Sequence, residues 1–305
     1  MTSAIHEYEL AVAKPYRLDL TVSVLRRLST NIVDVLTPEG EYLRVLDHFG
    51  DPVLARVSKD RDDALSVTLE GNPIAHQQAL RLLGRVLGTD RTLSHFNRAA
   101  ARIPWLQQLA RRMRGVKPPR YPTLWEACVN AIVFQQVSLA AASTILRRVI
   151  VAVTSPFVCE NGTALHAFPD AATVLGTDDR VLNSAGLSAG KIATLRRVGE
   201  ALISGALDDR MLEERTSTDA AALLHSIKGI GQWTATIILL RGLGRLDVFP
   251  SNDSSVTANL AFVAGSASFD IGADLETLGS QRGMLYYHLL LARLDARGEI
   301  GRASS

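Results

Sequence analysis

The first ninety residues combine short alternating segments with one amphipathic helical segment. Apolar and polar residues alternate, as they do in half-buried strands, over residues 16–24, 41–45, 53–58 and 64–69. Residues 73–87 instead place apolar side chains at helical spacing behind a proline. This region therefore predicts an α+β domain, a small antiparallel sheet with a covering helix.

The rest of the chain has the apolar spacing of helices almost throughout. The predicted helices cover residues 92–101, 104–113, 124–134, 139–153, 171–175, 181–185, 189–204, 220–227, 232–241, 256–264 and 283–294. No internal repeat or long linker interrupts them. Since the pattern changes near residue 88, we predict an α+β sheet domain over 1–88 and a mainly α-helical domain over 89–305.

The composition is that of a folded globular protein and does not identify a function. Hydrophobic residues make up 47% and charged residues 21% of the 305 residues, close to globular averages, which argues against a disordered chain. Lys and Arg number 33 against 31 Asp and Glu, a net charge of +2. A nucleic-acid-binding protein of this composition has to concentrate its basic groups locally.

The chain has few residues of the types that bind metals, and its N-terminal pattern does not predict export. The two cysteines, Cys128 and Cys159, are too few for a disulfide framework or a four-thiolate site, and the seven histidines include no i,i+4 pair. We therefore expect no metal and no organic cofactor. The N-terminus lacks the apolar segment of a signal peptide, and no apolar run approaches the ~20 residues of a membrane helix. We expect a cytoplasmic protein without a membrane partner.

The segment 224–253, LHSIKGIGQWTATIILLRGLGRLDVFPSND, carries the most information. Lys228-Gly229-Ile230-Gly231 lies between two predicted helices, where the glycines permit a tight turn with exposed N–H groups beside a helix N-terminus. Such a terminus binds phosphate. A Gly-x-Gly between helices is more often only a helix end and turn, and residues 242–244 repeat it, so the glycines alone leave both interpretations open.

This segment resembles the signature of the helix-hairpin-helix DNA glycosylase superfamily: a hairpin, a Gly/Pro-rich loop and an aspartate. It is most similar to the bacterial 3-methyladenine DNA glycosylase II family, whose hairpin and catalytic loop match residues 220–242 and 243–254 in spacing. Residues 124–141 resemble the helix and wedge loop that precede the hairpin, and the N-terminal region resembles the family's sheet domain. The resemblance implies a base-excision glycosylase that flips alkylated bases out of duplex DNA and leaves an abasic site.

Two residues of this segment define the implied reaction. Asp253 matches the catalytic aspartate, because a carboxylate stabilises the oxocarbenium-like sugar that forms when an N-glycosidic bond breaks. The alternative is that Asp253 only caps the following helix. Trp233 stands where strand-cleaving relatives carry a Schiff-base lysine, and an indole cannot form that bond, so no lyase activity is expected. The alternative is that Trp233 only packs in the core between helices.

The resemblance also implies a set of DNA contacts. Gln136 occupies the position of the side chain that fills the gap left by the flipped base, although an ordinary surface glutamine is the alternative. The hairpin residues implied to hold phosphates are Lys228, Gly229, Ile230, Gly231, Gln232 and Thr234. A monovalent cation bound by hairpin carbonyls is a further implication of the family.

The base pocket departs from the family pattern. The positions that resemble its lining are Trp233, Ile237, Ser254 and Gln281, of which only Trp233 is aromatic. Aromatic rings hold cationic alkylated bases, so the preferred lesion stays open. Two other functions remain: a non-catalytic protein that recognises damaged or bent DNA, and a glycosylase for deaminated or oxidised bases. We expect double-stranded DNA as the partner and a monomeric protein.

Overall fold

The computed structural model describes residues 4–47, 50–159, 162–251, 254–265 and 269–301. Five strands form an antiparallel sheet in the order β1-β5-β4-β3-β2. Their bounds are β1 Ala4–Ala11, β2 Val35–Leu36, β3 Tyr42–Leu46, β4 Val53–Ser58 and β5 Ala64–Gly71. A two-stranded sheet, which the sequence did not predict, consists of β6 Pro156–Val158 and β7 Ala164–His166.

The helices form the larger part of the described chain. They are α1 Leu18–Arg26, α2 Pro73–Leu87, α3 Ser94–Ala100, α4 Pro104–Arg112, α5 Leu124–Val133, α6 Leu139–Val153, α7 Ala171–Gly176, α8 Asp179–Ser184, α9 Ala189–Ile203, α10 Asp209–Glu213, α11 Ser217–His225, α12 Gln232–Arg241, α13 Ser254–Ala264, α14 Ile271–Leu278 and α15 Met284–Asp295. A 3₁₀ turn, Gly279–Gln281, precedes α15. In the described part of the chain, no helix combines the length and apolar character that spanning a bilayer requires.

The strand predicted over residues 16–24 is wrong, because this segment forms α1. Eight of the nine residues of α1 are buried, so its alternation does not separate a buried face from a solvent face. The polar side chains are buried with hydrogen bonds: the Thr21 hydroxyl donates to the Arg17 carbonyl, and Ser23 Oγ accepts from the Gly301 amide. The first strand is β1, which pairs along its whole length with β5.

The sheet and the helices share their cores. The sheet core includes Leu18 and Val22 of α1, whereas Leu20 and Val24 of the same helix pack in the core formed around α15. A larger helical core joins α5, α9, α11 and α12. The α+β region followed by a helical region is confirmed as the fold class, while the division at residue 88 stays a prediction.

A buried ion-pair cluster also joins the two regions. Arg44 of β3 lies between two carboxylates, with Nη1 2.5 Å from Asp34 Oδ1 and Nη2 2.5 Å from Glu126 Oε2. All three side chains are at most 3% exposed. Burial raises the pKa of the Glu126 carboxyl, and Arg44 opposes that rise. The sheet therefore holds α5, the helix that leads to the predicted wedge loop, by a charge cluster as well as by apolar packing.

Candidate nucleic-acid interface and base site

The predicted hairpin consists of α11, a turn over residues 226–231, and α12. Thr216 caps α11 by accepting a hydrogen bond from the Asp219 amide, so α11 starts at Ser217 and ends at His225, slightly before the predicted helix. The Ile230 side chain is 4% exposed in the helical core, and its amide donates to the Ile227 carbonyl at 3.0 Å. Ile230 thus joins the two helices, and the glycines on either side of it are exposed at the surface.

The structure gives different explanations for the glycines at positions 229 and 231 of the hairpin. Gly229 has a φ of +104°, and a Cβ added there would lie 2.0 Å from Thr194 Oγ1 of α9, so both backbone conformation and packing require glycine. Gly231 has an ordinary φ of −89°, and an added Cβ would meet nothing within 4 Å. Packing within the described residues does not require glycine at 231, where it is the N-cap of α12 and leaves the space beside the helix N-terminus open.

The N-terminus of α12 has the properties of an anion site. Gly231 is its N-cap and supplies no side-chain hydrogen bond, and the first turn contains no acidic residue. The partial positive charge of the helix end is therefore not offset by a carboxylate of its own first turn. Lys228 is exposed in the adjoining turn. A phosphate group placed here would gain the helix-end amides and one flexible cation.

Three side chains that the sequence did not single out as essential connect the turn, the wedge loop and α9. Gln135, just after α5, donates from Nε2 to the Gly229 carbonyl at 3.0 Å and to Thr234 Oγ1 at 2.7 Å. Lys191 of α9 donates from Nζ to the carbonyls of Val133 and Gln135, at 2.8 and 2.9 Å. Arg197 of α9 donates to the Lys228 carbonyl at 3.1 Å. The wedge loop, α9 and the hairpin are thereby connected.

The segment around Gln136 presents its side chain outward. Gln136 is exposed and has a φ of +55°, a left-handed conformation that is uncommon for a residue other than glycine. Neighbouring Gln135 points back to the hairpin, as its hydrogen bonds show. No local pattern marked Gln135, because its partners Gly229 and Thr234 lie 94 and 99 positions away along the chain.

The residues predicted to contact DNA fall into an exposed group and a buried group. Lys228, Gly229, Gly231 and Gln232 are exposed. Ile230 and Thr234 are buried, and the Thr234 hydroxyl accepts the Gln135 hydrogen bond. Burial of these two side chains leaves the implied phosphate contacts to backbone amides of the hairpin, and those contacts stay a prediction.

The residues predicted to line the base pocket do not form one described surface. Trp233 is half-buried against the helical core, whereas Ile237 is 1% exposed inside it. The Gln281 side chain binds the chain around the start of α3. Its Oε1 accepts a hydrogen bond from the Phe96 backbone amide at 2.7 Å, and its Nε2 donates to the Thr92 carbonyl at 3.1 Å. Ile237 lies on the core side of α12, and the base-pocket lining stays a prediction.

The predicted catalytic residue, Asp253, lies outside the described residues, together with Asn252. Helix α13 begins at the next position, Ser254, whose side chain is likewise outside the description. The roles of Asp253 and Ser254 remain predictions.

A small cavity opens between the end of α1 and the end of α5. Its volume is about 30 Å³, and Arg27, Asn31, Asn130 and Phe134 are among the residues that line it. Arg27 is 5% exposed, has a φ of +63°, and places its guanidinium carbon 3.7 Å from the centroid of the Phe134 ring. No sequence motif identified Arg27 as a candidate functional residue, because it follows residues 16–24, whose alternating pattern predicts a strand.

Comparison with known proteins gives a consistent result. No family model matches the chain. DNA-3-methyladenine glycosylase 1 of Schizosaccharomyces pombe is 32% identical over 133 residues, 43% of this chain and 54% of that protein. A Mycobacterium tuberculosis protein described as "Probable bifunctional transcriptional activator/DNA repair enzyme AlkA" is 30% identical over 72% of this chain and 39% of its own length. The chain thus spans about half, or less, of these relatives.

The fold extends the similarity over nearly the whole chain. The 3-methyladenine DNA glycosylase of Archaeoglobus fulgidus superposes with a TM-score of 0.78 and 21% identity, covering 95% of this chain and 99% of that one. The chain therefore has the fold of the helix-hairpin-helix DNA glycosylases and resembles 3-methyladenine DNA glycosylases in sequence, as its hairpin motif predicted.

Proposed function

We propose that this protein is a monofunctional DNA glycosylase that hydrolyses the N-glycosidic bond of alkylated bases in duplex DNA and leaves an abasic site. The observation that carries the proposal is the hairpin. Its α12 N-terminus is open at Gly231 and free of acidic residues in its first turn, and the chain is 32% identical over 133 residues to a protein named DNA-3-methyladenine glycosylase 1.

DNA binding follows from the exposed part of the hairpin. Amides at the start of α12 hold one phosphate, and Lys228 adds a cation, which fits a net charge of only +2. Backbone donors contribute nothing to a count of charged side chains. The exposed Gln136 enters the duplex in place of the flipped base, and Lys191 and Gln135 keep it beside the hairpin. The protein acts as a monomer, and hairpin carbonyls are the proposed site of a monovalent cation.

Hydrolysis is assigned to Asp253 and water. An ionised carboxylate stabilises the positive charge that develops on the sugar, and a cationic alkylated base leaves without strong acid catalysis. Trp233 provides no amine, so the product is an abasic site rather than a cleaved strand.

The test is release of alkylated bases from methylated duplex DNA by wild type and Asp253→Asn. Asparagine caps a helix about as well as aspartate, so this substitution preserves a cap and removes only the carboxylate. We expect release to fall by at least about a hundredfold, comparable to losing one electrostatic stabiliser, with DNA binding retained. Asp270→Asn is the matched control, because Asp270 accepts the Gly272 and Ala273 amides at the start of α14.

Wild-type release by Asp253→Asn would show that the Asp253 carboxylate is not needed for hydrolysis. DNA binding by the wild type without release of any base would support the non-catalytic alternative instead. A covalent complex trapped by borohydride would contradict the assignment of Trp233.

A further inference from the structure

The cavity beside α5 contains a cationic group that the hairpin does not use. Arg27 is 5% exposed, and within the described residues its Nη1 has no hydrogen-bond partner. Burial lowers the pKa of Arg27, and the neighbouring Tyr121 and Tyr286 oppose that decrease. A buried donor without a partner is costly, so a ligand atom that accepts its hydrogen bond would be stabilised there.

This cavity adjoins the proposed DNA-binding residues through one short stretch of chain. Phe134, which Arg27 covers, is followed directly by Gln135, which contacts the hairpin, and by the exposed Gln136. The Tyr286 side chain, which interacts with Arg27, packs on the same helical core as Trp233. The Arg27 guanidinium therefore lies over a ring only two positions before Gln136, the residue proposed to enter the duplex.

The aromatic rings at this place are already occupied by cations. The Arg27 guanidinium lies over Phe134, and the Arg241 guanidinium lies over Tyr121 with its carbon 4.6 Å from the ring centroid. These faces do not attract the positive charge of an alkylated base, as an open ring would. The cavity of about 30 Å³ has room for a polar atom such as an exocyclic oxygen.

A guanidinium group has five donors and no acceptor. It therefore stabilises a carbonyl oxygen at the edge of a base and disfavours an amino group at the same position. Resting on the proposed function, we propose that Arg27 is a specificity-determining residue whose Nη1 donates a hydrogen bond to an exocyclic oxygen of the flipped base. The enzyme then selects carbonyl-bearing lesions such as 7-methylguanine over 3-methyladenine, which carries an amino group at the equivalent ring position.

The test compares these two lesions in one reaction. Both are cationic while attached to the sugar, so their comparison separates the hydrogen bond from the charge. Methylated duplex DNA is incubated with enzyme, and the rate constant of release is measured for each base and corrected for spontaneous loss. In Arg27→Met, which has no donor but keeps the side-chain length, we expect the ratio of 7-methylguanine to 3-methyladenine rate constants to fall about tenfold.

The control is Arg17→Met, just before α1. Arg17 lies outside the cavity and donates from Nε to Asp19 Oδ1 at 2.8 Å, so its loss removes a cation without changing the cavity. The ratio in this variant stays at the wild-type value. If Arg27→Met does not fold, as judged by its circular dichroism, Arg27→Gln replaces it, and the ratio shifts in the same direction because the charged donor is lost.

The outcomes separate this inference from the proposed function. Release of both bases with a ratio that Arg27 variants change by less than about twofold overturns the role of Arg27 alone. Release of neither base by the wild type overturns the proposed function, and the inference with it. A ratio that falls in the Arg27 variants and not in Arg17→Met supports both.

Discussion

At the scale of single residues, the structure distinguishes two glycines that look equivalent in the sequence. Gly229 is required by its positive φ and by contact with Thr194, whereas Gly231 has an ordinary backbone and open space around it. The pattern Gly-Ile-Gly predicted a turn with exposed amides but not this division. Only the packing of α9 against the turn shows which glycine serves the fold and which one leaves room for a ligand.

Alanine at each glycine is expected to separate stability from DNA binding. Gly229→Ala should lower the free energy of unfolding by at least about 2 kcal/mol, because alanine is strained at this φ and its Cβ collides with Thr194. Gly231→Ala should cost less than about 1 kcal/mol, yet weaken duplex binding about tenfold by placing a methyl group at the proposed phosphate site. Denaturant unfolding and fluorescence anisotropy measure the two effects. Equal DNA affinity for Gly231→Ala and wild type would contradict the assignment of a phosphate site at Gly231.

At the scale of secondary-structure elements, most helices could be predicted from local patterns. The sequence spacing predicts α2 and α12 at their observed bounds, and Thr123 accepts the Glu126 amide as the cap of α5. Helix α1 could not be predicted, because all of its surroundings are protein. An alternating pattern indicates a strand only when one face meets water, and here Thr21 and Ser23 bond inside the protein instead.

The packing of α15 against α3 is expected to make stability depend on pH. His288 of α15 is 2% exposed, its ring centroid lies 4.6 Å from that of Phe96, and Nδ1 is 2.8 Å from the Met284 carbonyl oxygen. Burial lowers the pKa of His288 from 6.5 to about 4. The neutral ring therefore contributes stability above about pH 6.5, and this contribution is lost as the pH falls towards 4.

Between about pH 7 and pH 5, His288 alone should reduce the free energy of unfolding by about 2 kcal/mol. His288→Gln removes this titration, so its unfolding free energy should fall less over the same interval than that of the wild type. His225→Gln, at an exposed position, serves as the comparison. An identical pH dependence of wild type and His288→Gln, measured by urea unfolding, would contradict the assignment.

At the scale of the whole molecule, one charge cluster links the sheet to the helices. Arg44 of β3 bonds to Asp34 and to Glu126 of α5, 82 positions away along the chain. Neither carboxylate is accessible to water, so removing the cation leaves two buried negative charges without compensation. The orientation of α5, and with it the wedge loop, depends on this contact.

Arg44→Met is expected to lower the free energy of unfolding by about 3–5 kcal/mol. Arg61→Met provides the matched control, since Arg61 pairs with Glu9 at 2.7 Å on the surface, where such pairs contribute less than about 1 kcal/mol. The triple variant Arg44→Met, Asp34→Asn, Glu126→Gln should recover part of the loss, because it also removes the uncompensated charges. Similar losses for Arg44→Met and Arg61→Met in denaturant unfolding would disprove the role of burial.

The sequence by itself determined the helical spacing, the turn glycines and the resemblance of the hairpin, because these depend on residues close together along the chain. Tertiary structure decided what joins the site: Gln135 reaches Gly229 across 94 positions, and Arg27 lies over Phe134 across more than a hundred. Such contacts arise when separate elements pack and bury each other's polar groups, and no local pattern records which groups will meet. The hairpin was therefore visible in the sequence, while its support and the neighbouring arginine cavity were visible only in the fold.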